Sequence, residues 1–151
     1  MTITEYSQDR LAAQPIGYWT GIANEIIVGG IRAALAEEGL TQPHWWILNH
    51  VAGAPGQWTR ASLADRLSPF DRQDTDFEAV HTDLASRGWI AEPEGRLVLT
   101  EAGEEGRQRA KARTLKVHER MHDGVETADY VTTLNVLRRM IGNLGGNSDL
   151  P

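Results

Sequence analysis

The stretch QDTDFEAVHTDLASRGWIAEPEGRLVLTEAG, residues 73–103, decides the fold. Phe77, Val80 and Leu84 recur at three- and four-residue spacing, which predicts a helix from about Gln73 to Arg87 with one apolar face. Gly88 ends it, because glycine accepts the left-handed backbone that closes a helix. Trp89-Ile90-Ala91 and Arg96-Leu97-Val98-Leu99 read as two short strands around the turn Glu92-Pro93-Glu94-Gly95. Thr100 then caps a further helix, with Glu101 and Glu104 in its first turn.

Working outward, a short helix from Arg60 to Leu67 precedes this stretch, with Leu63 and Leu67 on one face and Ser68-Pro69 as its break. Before it, Thr41 caps a helix with Pro43 near its start and Trp45, Trp46, Leu48 and Val51 as apolar positions. Gly53-Ala54-Pro55-Gly56 is a loop. Further back, Pro15 fits the first turn of a long helix, where its missing N–H costs nothing. Trp19, Ile22, Ala23, Ile26, Ile27, Ile31, Ala34 and Leu35 form the apolar stripe of that helix, and Gly39 closes it. Downstream, the helix that starts at Thr100 runs to about His122, Gly124 interrupts, and a last helix covers about Thr127 to Asn143. Met1 to Gln14 reads as a loosely held arm, and the tail from Gly145 to Pro151 reads as mobile.

The order is four helices, a hairpin and two helices. A short helix, a turn, a second helix and a two-stranded hairpin make a winged helix-turn-helix, in which the second helix enters the DNA major groove. The fold class predicted is therefore mainly α with a small β-hairpin, a winged helix-turn-helix flanked by N- and C-terminal helices. The apolar stripes of those flanking helices exceed what a small core covers, so a second chain is expected to bury them as a symmetric homodimer. One domain is expected over residues 1–151, with dimerisation helices at 15–39 and 101–146 and the winged-helix part at 41–100.

Residues Leu84-Ala-Ser-Arg-Gly88-Trp89-Ile90, the hairpin, and Leu97-Val98-Leu99-Thr100-Glu101-Ala102-Gly103 resemble the end of the recognition helix, the wing and the next helix of MarR proteins. Gln42 to Leu48 resembles that family's second helix, and Tyr130 to Leu144 its closing dimer helix. The likeness spans Pro15 to Gly146. It implies a dimeric transcriptional regulator that binds double-stranded DNA and whose affinity a small aromatic ligand modulates.

Composition limits the alternatives. There is no cysteine, hence no disulfide framework, thiol nucleophile or Cys-ligated zinc. No apolar run approaches the ~20 residues that span a bilayer, and the polar start lacks a secretory pattern, so a cytoplasmic protein away from membranes is expected. The net charge of −6 lowers the expectation of strong non-specific nucleic-acid binding but leaves room for a local basic stripe.

The expected DNA contacts are Arg60, Arg72, Gln73, Thr75, Thr82, Ser86, Arg87 and Arg96, from the outer face of the recognition helix, its approach and the wing. Against them stand Asp76, Glu78 and Asp83 on or beside the same helix. Residues 60–100 carry five arginines and eight carboxylates, a balance of −3. MarR relatives commonly carry Thr-Arg where this chain has Glu78-Ala79, and many have a longer wing with an Asp-x-Arg element. Two readings stay open. Asp76 or Glu78 accepts from cytosine N4 while arginines hold the phosphates. Alternatively the fold has lost DNA binding and serves as a ligand-binding or protein-interaction module.

Five tryptophans are many for 151 residues. Trp19, His44, Trp45 and Asn49 are the expected wall of an aromatic-ligand pocket, with core packing as the plainer account. His118-Glu119-Arg120-Met121-His122 matches the His-Glu-x-x-His pattern of zinc proteases, but no third ligand is visible, so no metal site is assigned. The basic stripe Arg107, Arg109, Lys111, Arg113, Lys116 and Arg120 reads mainly as a solvated helix face. Without a phosphate loop, nucleophile elbow or paired carboxylates in a cleft, no catalytic residue, cofactor or enzyme activity is expected.

Overall fold

In the computed structural model, which describes residues 2–150, the first six α-helices each begin where a side chain or proline sets the first turn. Helix α1 (Gln8–Ala12) is capped by Ser7 and lies within the segment expected to be a loose arm. Helix α2 (Ile16–Ala36) starts after Pro15. It ends at Gly39, whose φ of +68° lets the Leu40 N–H reach back to the Leu35 carbonyl at 3.0 Å. Helix α3 (Gln42–Gly53) and helix α4 (Arg60–Leu67) follow, capped by Thr41 and Thr59.

The helix expected from about Gln73 to Arg87 is shorter than that. Helix α5 runs Phe77–Ser86, with Asp76 as its cap accepting the Ala79 N–H at 3.0 Å. The expected first turn from Gln73 is a loop instead. Asp71 organises it by accepting the N–H of Gln73 at 3.2 Å and of Thr75 at 2.6 Å, and the Thr75 hydroxyl at 2.8 Å. Aspartates offer the backbone these local bonds in competition with a helix. Asp74 takes a left-handed φ of +53° within the same loop.

The wing is also shorter than expected. Strand β1 (Ile90–Ala91) pairs antiparallel with β2 (Val98–Leu99), Ile90 opposite Leu99 and Ala91 opposite Val98. A single 3-10 turn, Pro93–Gly95, connects them. The segment after α3 joins this ribbon: Leu97 donates to the Trp58 carbonyl at 2.8 Å and accepts from the Gly56 N–H at 2.9 Å. The loop around Gly53–Gly56 therefore ends in ribbon pairing.

Helix α6 (Glu101–His122) grows out of the wing. The Thr100 hydroxyl donates to the Gly88 carbonyl at 2.5 Å and accepts the Gly103 N–H at 3.0 Å. Gly103 and Gly106 are required here. A Cβ on Gly103 would lie 2.0 Å from the Trp89 carbonyl oxygen, and one on Gly106 would lie 2.3 Å from the Trp89 ring. Helix α7 (Thr127–Asn143) follows.

One core joins Leu35, Ile47, Leu48, Val51, Leu63, Leu67, Leu84, Leu97 and Ala110 from α2 through α6. The C-terminal end of α2 reaches it through Leu35, with Ile31 packed against it. Ile27 and Ile31 of the α2 stripe are half-buried, Trp19, Ile22 and Ile26 are exposed, and α7 buries no residue at all. Residues 148 and 149 are tied to α7 by Arg138, which donates to the Ser148 carbonyl and the Asp149 carboxylate at 2.7 Å each. Part of the tail expected to be mobile is thus anchored. Met1 and Pro151 lie outside the described residues. Among the described residues, no helix is long and apolar enough to cross a membrane.

Candidate nucleic-acid interface

Helix α5 is held from its inner side by a polar anchor that crosses from α3. Three residues into α3, His44 reaches back so that its Nδ1 accepts the Thr41 backbone N–H at 3.2 Å, the histidine counterpart of a capping box. With Nδ1 an acceptor, Nε2 carries the proton and donates to Asp83 on α5 at 2.7 Å. Burial pushes the His44 pKa down, with the Asp83 carboxylate pulling the other way. Burial also acts to raise Asp83, but the bonds from His44 and Arg87 hold it below the usual carboxylate range. Arg87 donates to Asp83 at 2.8 Å and to the Gly39 carbonyl at 3.0 Å, and its guanidinium lies over the Trp89 ring.

A second ionic cluster lies on the outer side. Arg60, first residue of α4, donates Nη1 to Glu78 of α5 at 2.6 Å and to the Thr82 hydroxyl at 3.1 Å. Its Nε and Nη2 make a bidentate pair with Glu92 of the wing at 2.5 and 3.0 Å. One guanidinium thus ties three elements of the reading head. The Glu92 partner drives the Arg60 pKa further up, and Arg60 in turn holds Glu92 below its usual range.

The expected DNA contacts divide accordingly. Arg60 and Arg87 are spent on internal carboxylates rather than held free for phosphate. Arg72, Gln73 and Thr75 lie in the loop ahead of α5, not on its outer face, and the Thr75 hydroxyl is committed to Asp71. Thr82 accepts from Arg60, and the Ser86 hydroxyl donates to the Asp83 carbonyl at 2.7 Å. Arg96 is exposed and gives Nη1 to the Gln57 carbonyl at 3.2 Å, leaving its other donors outward. The face of α5 turned to solvent presents Glu78, Ala79, Thr82 and Ser86.

The four expected ligand residues do not converge. The Nδ1 of His44 faces Thr41 and its Nε2 faces Asp83, and it is 8% exposed. Asn49 donates to the Trp45 carbonyl at 2.9 Å and accepts from Arg107 at 3.1 Å. Trp45 packs partly buried against the core. Trp19 lies apart from them, on an open groove of about 690 Å³ lined with Ile3, Thr4, Glu5, Tyr6 and Leu11. Helix capping and interhelical bonds claim the polar atoms that a pocket would need.

His118 and His122 are both exposed on α6, and the His122 ring lies 4.8 Å from that of Tyr130. Among the described residues no group of three or more His, Asp or Glu side chains gathers to hold a metal ion. In the stripe on α6, Arg107 pairs with Glu104 at 2.7 Å, Arg109 with Glu38 at 3.1 Å, and Arg113 with Glu37 and with Glu38. The Arg107 bond drives the Glu104 carboxyl down to about 2.

Sequence reasoning missed His81. It sits on α5, 1% exposed, and neither ring nitrogen has a partner. Its place one residue after Val80 and three before Leu84 was the available signal, since that is an inward position.

This geometry defines a winged-helix protein, with a helix-turn-helix of α4 and α5, a wing of β1 and β2, and long helices on both sides. The particular architecture is that of MarR family transcriptional regulators. The Mycobacterium tuberculosis MarR family protein Rv2887 is 25% identical, with a TM-score of 0.60 over 89% of this chain and 98% of that one. It has also been solved with DNA and with salicylic acid. A MarR family regulator from Silicibacter pomeroyi is 17% identical, with a TM-score of 0.67 over 92% and 99%. CouR from Rhodococcus jostii RHA1, bound to p-coumaroyl-CoA, is 20% identical, with a TM-score of 0.65 over 85% and 92%. No family model and no curated protein matches the sequence.

Proposed function

We propose that this chain is a DNA-binding transcriptional regulator of the MarR type that works as a homodimer and responds to a small aromatic effector. The observation that carries this reading is an intact winged helix-turn-helix attached to helices whose apolar faces stay exposed among the described residues. Tyr130, Val131, Leu134, Met140 and Ile141 on α7 are exposed, as are Ile16, Trp19 and Ile22 on α2. Apolar stripes of this extent on two helices are unfavourable in water, and a symmetric second copy supplies matching ones. Residues 15–39 and 101–146 are then the dimerisation helices, and residues 41–100 the reading part of a single domain.

Support for DNA as partner is the order α4, α5, wing, with α5 exposed along its outer face. Arg72 and Arg96 flank that face as phosphate contacts. Support for an aromatic effector is the neighbours solved with salicylic acid and p-coumaroyl-CoA, together with the apolar groove at Trp19. The effector acts by favouring one spacing of the two heads over another.

Light scattering on the purified chain tests the dimer, with twice the 16.7 kDa chain mass expected. Fluorescence anisotropy on upstream and scrambled duplexes across a salt series tests the DNA partner, and a steep salt slope with sequence preference is expected. A second reading draws on the internally paired Arg60 and Arg87 and the acidic balance of the head. It holds that the fold serves as a ligand-binding or protein-interaction module, and it predicts no duplex binding even at low salt.

A further inference from the structure

We propose that Glu78 is a specificity-determining residue that accepts a hydrogen bond from the exocyclic amino group of a cytosine in the major groove, oriented by Arg60. The inference rests on the DNA-binding reading above. Glu78 is the second residue of α5, and the N-terminal residues of a recognition helix are those that meet base edges. Its side chain is 68% exposed although it is an ion-pair partner.

The two carboxylate oxygens are in different states. Oε1 accepts from Arg60 Nη1 at 2.6 Å, while Oε2 has no hydrogen-bond partner among the described residues. A carboxylate with one oxygen pinned and one open is a fixed acceptor. Cytosine N4 is the base donor that such an acceptor fits, because guanine and thymine show only acceptors on their major-groove edges. Adenine N6 also donates, but its neighbouring N7 is an acceptor that repels the second carboxylate oxygen.

Asp76 is the other carboxylate at this helix end, and its Oδ1 is spent on the Ala79 N–H as the cap. Asp83 faces inward to His44 and Arg87. Asp76 likewise leaves Oδ2 open among the described residues, but it is the cap ahead of the helix and is held only by its own helix's N–H. Of the three, Glu78 alone combines a place within α5, exposure and a guanidinium from another element that fixes it.

Arg60 is a positioning residue in this arrangement. Its Nη1 serves Glu78 and Thr82, and its Nε and Nη2 serve Glu92. It offsets one of the two charges that Glu78 and Glu92 bring toward the phosphates. It also fixes the rotamer of Glu78 against the wing, so the reading oxygen is held before DNA arrives.

Selection of bound sequences from randomised duplexes by the full-length protein tests this, comparing wild type with Glu78→Gln, Glu78→Ala and Arg60→Lys. The wild type is expected to select a C·G pair at one position of each half-site, by on the order of tenfold over other bases. Glu78→Gln is expected to change that position to A·T, since glutamine pairs with adenine N6 and N7. Glu78→Ala loses the preference there and keeps it elsewhere. Arg60→Lys weakens it at the same position, because an ammonium lacks the planar fork.

Selected sites with no fixed C·G pair, or unchanged sites in both Glu78 variants, overturn the role of Glu78 and leave the regulator reading standing. No enriched sequence for the wild type overturns both. Arg60→Lys with the full cytosine preference removes Arg60 from the assignment.

Discussion

Replacing His81 with leucine should raise stability near neutral pH and weaken its dependence on acid. The ring is 1% exposed with both nitrogens unpartnered, so the fold carries an unsatisfied buried polar group. Such a group costs about 1–3 kcal/mol, and leucine, of similar volume, removes it. The pH effect follows from the direction of the shift. Burial, then the nearby Arg60 charge, lower the His81 pKa, while Glu78 and Glu92 act to raise it. The unfolded chain takes up the proton first, near pH ~6.5. Stability is therefore complete above that value and falls as pH drops from it toward the lowered folded pKa. His44 is shifted in the same direction, again with burial as the leading cause. Each group contributes a slope of at most about 1.4 kcal/mol per pH unit, so the pair gives at most about 2.7. Removing His81 should halve the slope between pH ~5 and ~6.5. The carboxylates are shifted downward, Glu104 to about 2, and act in more acid solution. Urea unfolding followed by tryptophan fluorescence at fixed chain concentration measures both quantities. Equal slopes for wild type and His81→Leu would refute the reasoning, as would a loss of stability at pH 7.5.

Other substitutions probe the joints of the fold. Gly103→Ala places a methyl 2.0 Å from a backbone oxygen that has no room to yield, and should lower stability by about 2–3 kcal/mol in the same unfolding assay. Gly106→Ala meets the Trp89 ring instead, so a smaller loss with a changed tryptophan emission spectrum is expected. Leu134→Glu on the exposed face of α7 should yield monomers by light scattering while circular dichroism keeps the helical content. Arg72→Ala and Arg96→Ala should each weaken duplex binding and lower the salt slope by about one, measured by anisotropy.

The helices and the wing were legible because their evidence is local. Phe77, Val80 and Leu84 mark an apolar face, Gly88 and Gly39 mark stops, and Thr100 marks a start, all within one or two turns. The start of α5 was misplaced because Gln73 to Asp76 carry no apolar residue to fix the boundary, and Asp71 takes over backbone donors there. Asp76, three residues before Ala79, was the cap signal that marked the true start. The site was less legible because its bonds are distant in sequence. Arg60 finds Glu92 across 32 positions and His44 finds Asp83 across 39. Residue type alone suggested phosphate and ligand contacts for these side chains, whereas folding supplied them with internal partners.

The close seat of Trp89 on Gly103 and Gly106 makes a lever of the longest helix. The wing carbonyl and the indole sit against the α6 backbone with no side chain between them, and Thr100 bonds across the same corner. Wing and helix therefore turn as one piece. At 22 residues α6 is about 33 Å long, so a tilt of about 5° about its far end sweeps the wing by about 3 Å. That is about the spacing of neighbouring base pairs, so a small rotation among the outer helices moves the reading end by roughly one step along a duplex.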